Sequence, residues 1–217
     1  MIPKRIYFAG DLFDHKHIVG NALLGQKIDQ LSNGKYLVDL PQNKELPAGR
    51  STIIRDSDLQ HLLSSDVALF NFDGTDLDSG TVVEFCYAKM CDIPSVLFRS
   101  DFRLAGDQSK DGDPWNVMAS GYPRTKKVAV NALGLYKELM KENVGEQIDL
   151  YETKLATMII EALDEVCKLP SLFEGSKEKA KEVYKWAIKT AGGTLDTLLP
   201  ENELDNIINR KSQQGLI

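Results

Sequence analysis

The sequence has few of the residues and motifs on which metal, redox and phosphate chemistry usually depend. It contains three histidines and three cysteines among 217 residues, and none of them lie at the spacing of a zinc site. Neither glycine-rich phosphate motif, GxGxxG or GxxxxGK[ST], is present, and there is no GxSxG serine elbow. We therefore expect no bound metal, no cofactor, and cysteines that are free thiols in a reducing compartment.

An excess of positive charge and a long apolar segment are also absent. The formal net charge is -6, so no global attraction for nucleic-acid phosphates or anionic membranes is expected. No apolar run approaches the ~18 residues that span a bilayer. The apolar run at the N-terminus is too short for the core of a signal peptide. The sequence thus predicts a cytoplasmic protein that binds neither nucleic acid nor membrane.

What the sequence does contain is an alternation of β-rich and helical segments. Strands are predicted at residues 4–10, 36–40, 66–72 and 93–98, with a weaker fifth at 126–131. Helices are predicted between them at residues 13–31, 51–65 and 79–91. This order predicts an α/β fold: a parallel sheet of four to five strands flanked by helices, of the flavodoxin or Rossmann kind.

The second half of the chain differs from the first. Residues 99–125 form a long polar loop, and a loop of that length in a compact domain is usually functional or mobile. From about residue 133 the chain reads as one helix after another. We therefore predict an α/β catalytic domain at residues 1–140 and a helical C-terminal extension at residues 141–217.

The stretch "NFDGTDLDSGTVVEF", residues 71–85, places four acids beside apolar runs. Asp78 lies at the predicted start of a helix, where Asp78 or Ser79 would cap backbone N–H groups and a carboxylate gains from the helix dipole. Glu84 lies about one turn further, beside valine, phenylalanine and cysteine. A buried carboxylate is costly and has a raised pKa, so Glu84 is a candidate nucleophile or acid–base group. The alternatives are a plain helix cap for Asp78 and a solvated helix face for Glu84, while Asp73 and Asp76 are interpreted as loop and turn residues.

Polar side chains follow three of the predicted strands. In an open parallel sheet, ligands bind beyond the carboxyl ends of the strands, so these side chains are expected to converge on one site. They are Gly10, Asp11 and Asp14 after the first strand, residues 73–78 after the third, and Arg99, Ser100, Asp101 and Arg103 after the fourth.

Four motifs in this order resemble those of the nucleoside 2-deoxyribosyltransferases, and they cover residues 4–118. "IYFAGDLF" resembles the family's first strand and loop. "DLQHLLSSD" resembles the helix whose leading aspartate is a site residue. "DSGTVVE" resembles the acid-x-G-x-x-x-E signature, and "DPWNVM" resembles a Pro-x-Asn-Leu-Met segment. The site residues that these motifs supply are Tyr7, Gly10 and Phe13, then Asp58, then Asp78 and Glu84, then Asn116 and Met118.

The resemblance implies an enzyme that cleaves the N-glycosidic bond of 2′-deoxynucleosides and passes the sugar to another base. It implies that Glu84 is the nucleophile, that Tyr7 orients it, and that Asp78 and Asp58 serve the departing base. Phe13 and Gly10 would lie near the substrate. Asn116, with Met118 beside it, would reach the 5′-hydroxyl from a neighbouring subunit, which implies a homo-oligomer with a shared site.

Structural interpretations and other functions stay open at this point. Without the family motifs, Asp58 would be interpreted as a solvated helix residue. Tyr7 would be interpreted as a core aromatic residue, and Asn116 as a turn residue. A hydrolase acting on deoxynucleosides or their 5′-monophosphates is a second hypothesis, and a nucleoside-binding sensor without catalysis is a third. The helical extension lies outside the resemblance, and no residue decides between purine and pyrimidine bases.

Overall fold

Five parallel strands form the sheet at the centre of the computed structural model, which describes residues 2–44, 51–103 and 112–217, with Ser51 described by its backbone alone. The strands lie in the order β2-β1-β3-β4-β5. Their bounds are β1 Lys4–Ala9, β2 Tyr36–Asp39, β3 Val67–Asn71, β4 Ser95–Arg99 and β5 Thr125–Ala129. The predicted fold class is confirmed, and the weaker fifth strand is present.

Helices connect the strands and cover both faces of the sheet. Their bounds are α1 His15–Leu31, α2 Ser51–Ser64, α3 Ser79–Met90, α4 Ala132–Glu138, α5 Val144–Val166, α6 Lys177–Ala191, α7 Leu195–Leu198 and α8 Glu201–Gln213. Two short 3₁₀ turns lie at Pro41–Asn43 and Val117–Ala119, the second within the predicted long loop. Residues 104–111 of that loop lie outside the described residues. Among the described helices, none is long and apolar enough to cross a membrane.

The alternation of side chains along β1 divides the core into two layers. Ile6 and Phe8 join the apolar cluster under α1 and α5, whereas Tyr7 and Ala9 face the cluster under α2 and α3. This is the two-residue period of a strand buried on both faces. Tyr7 therefore points to the same side of the sheet as the helices that carry Asp58 and Glu84.

The strand order reverses between β1 and β3, because the chain runs outward to β2 and then returns across β1 to β3. Ligands of open α/β sheets bind at such a switch point, beyond the carboxyl ends of the strands. Gly10 follows β1 here, and a Cβ at this position would lie only 2.9 Å from Asn71 Cβ. Glycine thus allows the loop after β1 to pass directly over the end of β3.

The helices beyond residue 140 pack on both faces of this sheet. Leu155, Ile159 and Leu163 of α5 share a buried cluster with the residues of β1, β3, β4 and β5 that face α1. Tyr184 of α6 and Leu204 of α8 belong to the other cluster, which also contains side chains of α2 and α3. The boundary at residue 140 stays a prediction, and the packing shows that the extension completes the core of the sheet.

Candidate active site

Tyr7 and Glu84 meet on the α2–α3 side of the sheet. The Tyr7 side chain, which is 1% exposed, donates a hydrogen bond from its hydroxyl to Glu84 Oε1 over 2.6 Å. Glu84 lies in the second turn of α3, directly before the fully buried Phe85. The apolar face of α3 packs on β3. Because Glu84 adjoins that face, its carboxylate is partly buried. One oxygen of that carboxylate is thereby fixed by the tyrosine.

Asp78 is the N-cap of α3, one of the two cap positions, Asp78 and Ser79, that the sequence allowed. Its Oδ2 accepts hydrogen bonds from Thr81 N over 2.7 Å and from Thr81 Oγ1 over 2.9 Å. A capping carboxylate satisfies an N–H group that the first helical turn leaves without a partner, and it is stabilised by the helix dipole. The cap fixes where α3 begins, and hence the position of Glu84 six residues later.

The third carboxylate near this pair comes from α2. Asp58 is partly buried and lies near enough to Tyr7 and Glu84 to act on both electrostatically. Burial raises the pKa of Asp58, an effect that the nearby His61 opposes. The structure thus brings Tyr7, Asp58, Asp78 and Glu84 into one group, although their positions span 77 residues of the chain.

The electrostatics of the group favour protonated forms. Burial raises the pKa of Glu84 to about 7; the Tyr7 hydrogen bond lowers it, and the charges of Asp58 and Asp78 raise it further. Burial, followed by the Glu84 charge, raises the pKa of Tyr7 well above its ordinary value. Tyr7 is therefore a neutral hydrogen-bond donor at physiological pH, while Glu84 changes its charge close to neutrality.

Two polar residues, the partly buried Asp73 and the buried Arg99 at the end of β4, connect the loops that follow β3 and β4. Asp73 accepts hydrogen bonds from Ser100 N over 2.6 Å, Ser100 Oγ over 2.8 Å and Asp101 N over 2.8 Å. Arg99, which is 1% exposed, donates to the carbonyls of Phe72, Gly74 and Arg103. From the sequence, Asp73 and Arg99 were predicted to lie in these loops, but their role in joining the two loops was not predicted. The one available signal was an arginine that directly follows an apolar strand.

An aromatic cluster supports the buried side of α3. Phe85 makes edge-to-face contacts with Phe70 and Tyr122, with ring centroids 5.3 Å and 5.1 Å apart. Phe72 makes a similar contact with Trp115 over 5.4 Å. Such pairs stabilise a core beyond the area that they bury. The cluster joins the "DPWNVM" segment to the helix that carries Glu84.

Asn116, Met118 and Phe13 are placed differently from the central group. Asn116 Oδ1 accepts a hydrogen bond from Met118 N over 2.9 Å, which caps the 3₁₀ turn. Asn116 and Met118 line a cavity of about 400 Å³ beside Leu77 and Val82 at the start of α3. Met118 is 77% exposed and Phe13 is 78% exposed. Within this one chain, the two exposed side chains point away from the core.

The structure also bears on metal binding. Across residues 2–44, 51–103 and 112–217, no group of three or more histidine, cysteine, aspartate or glutamate side chains could hold a metal ion. The carboxylates of Glu84 and Asp78 accept hydrogen bonds from hydroxyl and backbone N–H donors.

The site and the fold agree with a known family. The family model described as nucleoside 2-deoxyribosyltransferase matches residues 6–150, which is more than half of the chain. The chain belongs to this family. The match covers most of β1, all of β2 to β5 and all eight predicted site residues, and it ends within α5.

The solved structures that are similar to this chain include proteins from three organisms. A conserved protein from Enterococcus faecalis V583 is 23% identical, with a TM-score of 0.49, over 75% of this chain and 98% of that one. The 2-deoxyribosyltransferase of Bacillus psychrosaccharolyticus is 20% identical, with a TM-score of 0.39, over 49% and 77%. The 2-desoxiribosyltransferase from Leishmania mexicana is 22% identical, with a TM-score of 0.44, over 55% and 87%. The comparison with curated proteins found no match.

Proposed function

We propose that this protein is a nucleoside 2-deoxyribosyltransferase. In this reaction, the N-glycosidic bond of a 2′-deoxynucleoside is broken and the deoxyribosyl group is passed to another purine or pyrimidine base. The observation that carries the proposal is the partly buried Glu84 carboxylate, held by the Tyr7 hydroxyl over 2.6 Å and flanked by two further carboxylates. Family membership supports the substrate class.

The proposed first step is attack by Glu84 on the anomeric carbon of the sugar. The Tyr7 hydroxyl donates a hydrogen bond to Glu84 Oε1. Glu84 Oε2 is therefore the oxygen that forms the new C1′–O bond as the C1′–N bond breaks. The departing base takes the electron pair of the broken bond together with a proton from a neighbouring acid. A second base then attacks C1′, releases the carboxylate and returns a proton to the acid, so that two inversions retain the configuration.

Asp58 suits the role of that acid better than Asp78 does. Burial raises the pKa of Asp58, which favours the protonated form that a leaving base requires. Asp78 already accepts two hydrogen bonds at the start of α3, where the helix dipole stabilises a negative charge. We therefore assign proton transfer to Asp58, and the fixing of α3 together with a contact to the base to Asp78.

The remaining predicted residues fit a site that is shared between subunits. Phe13 and Met118 are large, exposed apolar side chains, and Met118 lines the cavity at the start of α3. In the proposed homo-oligomer, Asn116 and Met118 of one subunit reach the sugar bound by the next, while Phe13 and Gly10 line the substrate in their own subunit. A cytoplasmic location belongs to the same proposal.

The hydrolase of 5′-monophosphates has less support from the geometry. It requires free cations for the phosphate, and the two arginines that the sequence offered are engaged. Arg99 donates to three backbone carbonyls, and the Arg103 guanidinium, paired with Asp101, lowers the pKa of that carboxyl to about 2. The described loops after β3 and β4 therefore favour a substrate without a phosphate.

A base-exchange assay tests the proposed function. Each of the four deoxynucleosides, together with deoxyuridine 5′-monophosphate, is incubated with and without a free base such as adenine. We expect new deoxynucleoside to form from the unphosphorylated donors only when the acceptor base is present. Release of base at the same rate without an acceptor would identify a hydrolase, and no turnover of any donor would favour a sensor.

The dependence of activity on pH follows from the Glu84 carboxyl group. The nucleophile must be ionised, so we expect kcat/KM to rise as pH increases through about 7. Tyr7→Phe removes the hydrogen bond that lowers the Glu84 pKa, so this rise should move to higher pH. Asp58→Asn removes a charge that raises the Glu84 pKa, so the rise should move to lower pH.

Carbon-13 NMR titration of the Glu84 carboxyl group measures the same shifts independently of rate. Phe8→Leu, in the same strand but facing α1 and α5, is the control for Tyr7→Phe, and it should leave the Glu84 pKa unchanged. Shifts of the same sign in the Tyr7 and Asp58 variants would contradict the assigned electrostatics.

A further inference from the structure

Asp56 lies two residues before Asp58 on α2, and it is fully buried. Its Oδ2 accepts hydrogen bonds from Thr194 N over 2.6 Å and from Thr194 Oγ1 over 2.9 Å. Its Oδ1 accepts from the neighbouring Arg55 guanidinium over 2.5 Å. Both oxygens are therefore occupied, and one of them links α2 to the turn between α6 and α7 in the helical extension.

The turn is shaped to fit this carboxylate. Gly192 and Gly193 have φ angles of 64° and 66°, a left-handed conformation that favours glycine. A Cβ at Gly193 would lie 2.3 Å from Asp56 Oδ2 and 2.7 Å from Arg55 Nη2. Any larger residue at Gly193 would push Asp56, or the turn, out of place.

Further bonds join the extension to α2 along the length of the helix. Arg55 Nη2 donates to the Ala191 carbonyl over 3.1 Å, and Gln60 Nε2 donates to the Leu198 carbonyl over 3.0 Å. At the end of α2, Arg210 of α8 donates to the Ser64 carbonyl. Every turn of α2 from residue 55 onward is thus attached to α6, α7 or α8.

The attachment acts on the face of α2 that lies away from Asp58. Successive residues of an α-helix are about 100° apart around its axis, so Asp56 and Asp58 are separated by roughly 200°. The extension therefore binds one face of α2, while the other face directs Asp58 towards Tyr7 and Glu84. A small rotation of α2 would change the distance between the Asp58 and Glu84 carboxylates, on which their interaction depends.

We propose that Asp56 is a positioning residue, and that α6–α8 hold α2 through it so that Asp58 stays beside Glu84. The catalytic role of Asp58 rests on the proposed function, whereas the positioning itself rests on the contacts around Asp56. This assigns a task to the helical extension: it sets the geometry of the site from behind α2 without touching the substrate.

The test compares Asp56→Asn with Asp196→Asn in the full-length protein. Asp196 lies in α7 beside the same turn, is exposed, and accepts a hydrogen bond from Thr197 N over 2.8 Å, so it is a matched control. For Asp56→Asn we expect kcat for base exchange to fall roughly 10- to 100-fold, with a smaller change in KM. Asp196→Asn should retain the activity of the unsubstituted protein.

A second readout separates positioning from a structural role. Carbon-13 NMR titration of Asp58 and Glu84 should show a lower pKa for both in Asp56→Asn, because Asp58 moves away from Glu84 and becomes more exposed. Lowered thermal stability with both pKa values and kcat unchanged would overturn the proposal. If the unsubstituted protein shows no base exchange, the proposed function fails, and the NMR comparison still decides whether Asp56 positions Asp58.

A milder variant covers the case in which Asp56→Asn does not fold. Thr194→Val removes the hydroxyl donor to Asp56 and keeps the backbone donor. It should change kcat and the two pKa values in the same direction by a smaller amount. No change in a folded Thr194→Val protein, together with an unfolded Asp56→Asn protein, would assign Asp56 to stability alone.

Discussion

Glu84→Ala and Glu84→Gln are expected to lose base exchange by a factor on the order of 10³ or more, because no other group replaces the nucleophile. The unsubstituted protein mixed with a deoxynucleoside, without an acceptor base, should gain the mass of one deoxyribosyl group. Peptide mapping should place that group on Glu84. Both variants should lack the adduct, and an adduct on another residue would contradict the assignment.

Glu84→Gln is also expected to increase the stability of the folded protein above pH 7. Burial raises the pKa of Glu84 from 4.5 to about 7, so the folded protein favours the protonated form. Above pH 7 the ionised side chain destabilises the fold by an amount on the order of 3 kcal/mol, and below pH 4.5 this penalty is absent. Glu84→Gln keeps the shape without the charge, and its amide oxygen still accepts a hydrogen bond from Tyr7.

Urea unfolding at pH 9 and pH 5 measures this difference. We expect Glu84→Gln to be more stable than the unsubstituted protein at pH 9, with most of the difference gone at pH 5. If Glu84→Gln is inactive but more stable, the Glu84 carboxylate lowers the stability of the fold and is required for the reaction. If Glu84→Gln were less stable than the unsubstituted protein at pH 9, this would contradict the assigned burial of Glu84.

The local parts of the site could be predicted from the sequence because short-range patterns determine them. The apolar run of β3 followed by Asp78 and Ser79 predicts a buried strand and then a helix start, and the structure has both. The spacing from Asp78 to Glu84 then places Glu84 within the second helical turn. These features depend on neighbours within about seven residues, which helix and strand geometry fix.

The partners of Asp56 and Asp73 could not be predicted, because they come from distant parts of the chain. Asp73 is bonded to a residue 27 positions later, and Asp56 to one 138 positions later. An aspartate on a helix or in a loop has the same local pattern whether it is solvated or buried. The packing of the extension on α2 distinguishes Asp56, which is fully buried and bonded to Thr194, from the partly buried Asp58 two residues away.

Truncation after residue 140 is expected to abolish folding, although the predicted catalytic domain ends there. In α5, Leu155, Ile159, Leu163 and Val166 are at most 4% exposed and cover the sheet. Each large apolar side chain contributes about 2 kcal/mol when buried, so their loss removes roughly 8 kcal/mol. That is comparable with the whole stability of a domain, about 5–15 kcal/mol.

Two truncated chains separate the contribution of α5 from that of α6–α8. Residues 1–175 keep α5 and lose only the helices that attach to α2, whereas residues 1–140 lose both. By the same arithmetic α6–α8 contribute more than α5, because they bury more large apolar side chains; Tyr184, Leu195, Leu204 and Ile207 are among them and are at most 1% exposed. Circular dichroism, thermal unfolding and binding of a hydrophobic dye should therefore show an unfolded or aggregated protein for both truncated chains. A cooperative transition for 1–140 would establish an independent domain. A cooperative transition for 1–175 alone would assign α5 to the catalytic fold and begin the extension at α6, whereas its absence in both chains would make α5–α8 part of one cooperative fold.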